Sequence, residues 1–151
     1  MNTVLHKGNL LTDWVGRRSV DILRISLGLI FLGFGLLKFF PGASPAEALV
    51  MRTLDTLTFG VIEGRYAVLL TAAMECFIGL TLMTGKFLRT GLLVLGAALV
   101  GIMSPLVLFF GDLFPGAPTL EAQYVLKDIV LAAAALVIAT KALAPLKGLR
   151  A

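Results

Sequence analysis

The chain has 151 residues, 58% hydrophobic and 15% charged, with a mean hydropathy of +0.97, whereas an ordinary soluble domain is nearer half apolar and a quarter charged. Its apolar residues are grouped in four long blocks that each approach the length of a bilayer crossing, which excludes an ordinary soluble domain and implies a polytopic membrane protein. The net charge of +4 would suggest nucleic acid in a soluble protein, but here the basic residues fall where membrane topology places them, so nucleic-acid binding is set aside.

The first span is predicted over residues 20–40, closed by Pro41-Gly42, a pair that does not continue a helix. The preceding polar residues show no small-residue cleavage pattern after the apolar stretch, so the span reads as retained rather than as a removed signal peptide. In the loop that follows, Ser44-Pro45-Ala46-Glu47 has the residue types of a helix start. Apolar Leu49, Leu54 and Leu57 interleave there with Arg52 and Asp55, predicting a short amphipathic helix that lies on the membrane surface or caps the bundle.

The second span, 66–83, stops at Thr84-Gly85-Lys86, and the third, 87–110, carries Pro105 and ends at Gly111-Asp112. So short a link forces an antiparallel hairpin, and Pro105 removes a backbone donor that would kink the third span. The fourth, 124–143, ends before Pro145. The reading is one all-α membrane domain over residues 1–151, a four-helix bundle.

Lys7, Arg17, Arg18, Arg24, Lys86, Arg89, Lys141, Lys147 and Arg150 fall on one side of these spans, nine of the thirteen basic residues. The positive-inside rule then puts both termini in the cytoplasm, and uncleaved spans of this kind fit a bacterial inner membrane. Phe39, Phe40, Tyr66, Phe109, Phe110 and Tyr124 all fall at the predicted outer ends, as an interfacial aromatic belt does.

Ionisable residues inside the spans carry the functional information, because each costs about 2.5–3.5 kcal/mol at the bilayer centre unless paired or wetted. Arg24, Gly28, Phe31, Gly35 and Lys38 share one face of the first helix, which should look inward; Arg24 reads as an anchor at the interface. Glu75 lies about 14 Å into the second helix at 1.5 Å per residue, too deep to reach water along its own side chain. It reads equally as a buried ion pair or as a proton- or ligand-binding carboxylate, with Ala72 and Gly79 beside it on a small-residue stripe.

Lys127 and Asp128 open the fourth helix, above a run of alanines. Lys38, Glu75, Lys127 and Asp128 sum to zero charge in the outer half of the bundle, where a polar pocket is the natural construction. On the third helix Ala97, Gly101 and Ser104 form a small face, so that Ser104 completes the predicted pocket set and Gly28, Gly35, Gly79 and Gly101 the predicted packing glycines. Cys76, about a hundred degrees around the helix from Glu75, is expected to be buried and inert. It is the only cysteine and His6 the only histidine. No intramolecular disulfide, metal cluster or bis-histidine haem site is therefore expected, and His6 reads as a solvated tail residue.

At these residues the chain resembles a known family. Arg24-Ile25-Ser26-Leu27-Gly28 through Gly35-Leu36-Leu37-Lys38-Phe39 is similar to the first helix of DoxX-like membrane proteins. Glu75-Cys76-Phe77-Ile78-Gly79 followed by Thr84-Gly85-Lys86-Phe87-Leu88-Arg89 is similar to that family's glutamate and glycine pattern with its short basic turn. Ser104-Pro105-Leu106 and Tyr124-Val125-Leu126-Lys127-Asp128 resemble the signatures of the third and fourth helices, so the likeness runs from about Arg24 to Thr140. Relatives commonly carry asparagine after the lysine where this chain has Asp128.

The resemblance implies a four-helix membrane bundle that serves as an accessory or anchoring partner of redox enzymes, quinone-linked in the name-giving members, and no defined catalytic mechanism. Because the chain brings no electron carrier of its own, it is expected to be an oxidoreductase subunit or partner rather than a self-sufficient enzyme, with a quinone as the candidate cofactor. The alternatives are a proton-coupled small-molecule transporter, for which four spans would call for a homodimer, and a purely structural membrane subunit.

Overall fold

The computed structural model describes residues 2–143, with side chains from residue 12 onward. His6, Lys7, Pro145, Lys147 and Arg150 therefore lie outside the described side chains. Seven helices follow in order: α1 Asn2–Leu37, α2 Glu47–Leu57, α3 Gly64–Thr84, α4 Leu88–Met103, α5 Pro105–Leu108, α6 Phe110–Leu113 and α7 Leu120–Leu143. No strand occurs among the described residues. Three stretches are long and apolar enough to cross a membrane, Thr12–Leu37, Gly64–Thr84 and Leu88–Leu108. α7 is 24 residues long and carries Lys127 and Asp128 in its first half and Lys141 in its last turn.

α1 packs along α3, α3 on α4, α4 on α7, and α7 back on α1, so the four long helices close a ring. The tightest seam is α1 against α3. A Cβ on Gly79 would sit 2.7 Å from the Leu32 backbone nitrogen and 2.8 Å from the Gly28 carbonyl oxygen, and one on Gly35 would sit 2.9 Å from the Cys76 nitrogen. Two backbones approach this closely only where at least one lacks a side chain at the contact, the mode by which helices associate where the hydrophobic effect contributes little. Gly101 does not belong with them: nothing lies within 4 Å of a Cβ built there, and the residue faces a cavity instead of a neighbouring helix.

The helix ends have local causes. α3 stops at Gly85, left-handed at φ 73°, whose N–H reaches the Thr81 carbonyl, the usual glycine C-terminal cap. The Arg24 guanidinium from α1 donates to the Leu82 carbonyl and, at 3.4 Å, to that of Met83, satisfying acceptors that the end of a helix leaves open. α1 runs from Asn2 to Leu37, so the polar segment that precedes the predicted span belongs to the same helix. α2 begins at Glu47, with Ala46 at the cap position and no side-chain cap. Ser44 does not cap it; its hydroxyl is buried and without a hydrogen-bond partner.

Pro105 divides the third apolar stretch only slightly. Ser104 keeps helical angles, φ −57° and ψ −32°, and the Leu108 N–H still reaches the Ser104 carbonyl at 2.9 Å. The missing proline donor would have served Gly101, and the Ser104 hydroxyl donates to that carbonyl at 2.7 Å in its place. The helix gives way four residues later, at Phe109, where φ is −125°.

Leu27, Phe31, Ile78, Leu82, Leu92, Leu95, Leu99 and Ile138 form one buried cluster in the half of the ring nearest the α3–α4 link. The other half, under α2, is hollow.

Candidate functional site

The hollow half is a cavity of about 430 Å³ between α1, α2, α3, α4, α5 and α7, within the range typical of small-molecule sites. Lys38, Glu75, Ser104, Lys127 and Asp128 all line it, and so does Gly101. The remaining wall is mostly apolar, with Phe31, Phe34, Leu49, Leu54, Leu70 and Met74 among its residues.

Lys38 follows the last residue of α1, where its backbone N–H closes a turn on the Gly35 carbonyl at 3.2 Å. Its ammonium turns inward and donates to both Glu75 oxygens, at 2.6 and 2.8 Å. The two residues are only 3% and 8% exposed. A pair so buried persists because each charge offsets the other's loss of water, and removing one partner strands the other. The close α1–α3 seam sets its geometry: a Cβ on Gly35 would lie 3.0 Å from the Glu75 Cβ, one turn of α1 before Lys38.

Lys127 and Asp128 are arranged differently. Among the described residues neither has an ion-pair partner within 4.0 Å, and the Lys127 ammonium lies over the ring of Tyr124 at 4.0 Å and near that of Phe34 at 4.9 Å. The aromatic faces hold the cation electrostatically without using up its hydrogens. The cavity thus has one closed ion pair on the α1–α3 side and, on α7, an ammonium free to meet an acceptor and a carboxylate free to meet a donor. Ser104 contributes only lone pairs, since its proton is committed to Gly101.

α2 roofs the cavity with Leu49, Val50, Thr53, Leu54 and Leu57. It is held by Glu47, which accepts from Arg65 at 3.2 Å and from the Gly42 N–H at 2.7 Å. A second tether is Arg52, bound to Asp112 at 2.6 Å and stacked 3.9 Å over the Phe109 ring. Of the two positions expected for α2, on the membrane surface or capping the bundle, the structure shows the cap, whereas the parts played by Phe34 and Tyr124 escaped the sequence reading. The signal for the aromatics was present, however, since Tyr124 precedes Lys127 by three residues, one helical turn.

Cys76 does not line the cavity. It packs against Gly35 in the α1–α3 seam and is partly exposed, not fully buried as expected. Arg24 lies near the middle of α1, beside the C-terminal end of α3 and 4.0 Å from Asp21. No group of three or more metal-ligating side chains occurs among the described residues. Compared with models of known families, with curated proteins and with solved structures, the chain matches none.

Proposed function

We propose that this chain is a DoxX-like four-helix protein of a bacterial inner membrane, with α7 as its fourth span and both termini in the cytoplasm, and that its cavity binds a quinone on behalf of a redox partner. The observation that carries the reading is the pairing of apolar walls with an uncommitted ammonium and carboxylate on α7. A quinone needs a slot for its ring and a few polar groups at its carbonyls, and Lys127 supplies a donor held between two aromatic faces. Electrons would come from the partner, an oxidoreductase, because the chain offers residues to bind and orient but none to carry charge.

The test is gentle detergent purification of wild type, Lys127→Met and Asp128→Asn, followed by native mass spectrometry and lipid extraction. Wild type should retain a quinone that Lys127→Met loses, with both equally helical. Wild type that emerges folded and empty, and binds no added quinone, would sink the proposal.

The buried Lys38–Glu75 pair favours a second reading, a proton-coupled transporter acting as a dimer, in which proton and substrate compete for the Glu75 carboxylate. That reading requires flux in proteoliposomes that disappears in Glu75→Gln.

A further inference from the structure

A second cleft adjoins the cavity and shares Leu57, Val100 and Ser104 with it. It lies between the end of α2 and the α4–α5 junction, where Leu99, Met103, Val107 and Leu108 complete its lining. Val100 is 74% exposed and Val107 84%, and both lie within the apolar stretch Leu88–Leu108. Side chains so placed on a membrane-crossing helix meet hydrocarbon, not water. The one hydroxyl in the cleft, that of Ser104, has its proton bound within its own helix, so the lining presents no free donor. The charged groups of the cavity come instead from α1, α3 and α7.

We infer that the cavity opens sideways into the bilayer between α2 and α4–α5, and that the apolar chain of its ligand lies in this cleft while the polar head is held near Lys127 and Asp128. The tethers of α2 favour this route. Glu47–Arg65 and Arg52–Asp112 hold its first half, whereas Leu57, its last residue, meets the cleft through apolar contact alone. A ligand with one hydrocarbon chain matches both zones without placing a charge in lipid or a tail against the Lys38–Glu75 pair. The inference rests on the proposal that the cavity binds a quinone, and adds where the ligand enters and why it carries a tail.

The experiment compares two probes in one micelle system, a benzoquinone without a side chain and its decyl homologue. The proteins are wild type, Leu108→Trp, Val107→Trp and, as a control on an exposed part of α4 outside both spaces, Leu93→Trp. At equal probe concentration within the micelle, wild type and the control should bind the decyl probe several-fold more tightly than the tailless one, a gain that comes from close packing of the chain in the cleft and not from its removal from water. Leu108→Trp and Val107→Trp, which line the cleft and not the cavity, should lose that gain while binding the tailless probe unchanged, which also certifies that they are folded. Retention of the full gain in both plugged variants would overturn the lateral route and leave the quinone reading standing. Loss of both probes in both variants would overturn the assignment of the cleft to the tail. Failure of wild type to bind either probe would remove the quinone reading and the route with it.

Discussion

Lys38 and Glu75 show how far one residue can be read from its type. Each was conspicuous in the sequence as a charge in an apolar run, yet their 37-residue separation said nothing of which carboxylate Lys38 would meet, and Asp128 was as good a candidate by charge. Breaking the pair should be costly: Glu75→Gln is expected to destabilise the fold by about 3–5 kcal/mol in reversible unfolding in mixed micelles. The double variant Lys38→Met with Glu75→Leu, which leaves no orphaned charge, should recover most of that loss. A single variant as stable as wild type would mean that water already satisfies the site. Ser104→Ala removes the hydroxyl serving the Gly101 carbonyl and leaves only a backbone N–H at 3.3 Å. It should cost about 1 kcal/mol in the same assay.

Among the elements, α1 and α3 depend most on what is missing from their side chains. Gly79→Ala would press a methyl group onto the Leu32 backbone, which cannot swing aside as a flexible side chain can. A loss of about 1–3 kcal/mol is expected from overpacking. Gly96→Ala, with nothing within 4 Å, should be neutral or gain up to about 1 kcal/mol from helix propensity. Equal effects of the two substitutions would refute the close seam. The α2 tether is weaker than its geometry suggests: Arg52 and Asp112 are more than half exposed, and an exposed pair contributes about 0–1 kcal/mol. Arg52→Ala should therefore leave unfolding nearly unchanged, and a large loss would place α2 in the core of the fold.

For the whole molecule, the division into a packed half and a hollow half follows from where the charges fall. The cluster around Ile78 and Leu95 takes the half without fully buried ionisable residues, while Lys38, Glu75, Lys127 and Asp128 converge where packing gives way to a cavity. Both ends present large rings outward, Tyr66 and Phe40 at one and Phe87 at the other, as side chains at membrane interfaces do. In a Cys76→Ala background, single cysteines replacing Lys86 and Gly116 should react with an impermeant thiol reagent from opposite sides of the membrane. A cysteine replacing Lys141 should react from the same side as the one replacing Lys86. Labelling of all three from one side would remove α7 as a span.

Composition alone sufficed for the membrane character, and local signals for most of the helix ends, because hydropathy and the backbone limits of proline and glycine act over a few residues. Pro41-Gly42 and Gly85 mark their breaks in any context. The same short range explains the misreadings at Gly101 and Ser44: small size and capping chemistry are visible in a sequence, but whether a neighbouring helix or a free N–H stands opposite is not. Which carboxylate meets Lys38, that Lys127 reaches Phe34, that α2 roofs a cavity and that the cavity adjoins an apolar cleft were decided only by the tertiary structure. These are contacts between segments tens of residues apart, and they exist only once α1 and α3 have closed at their glycines and brought the rest of the ring around them.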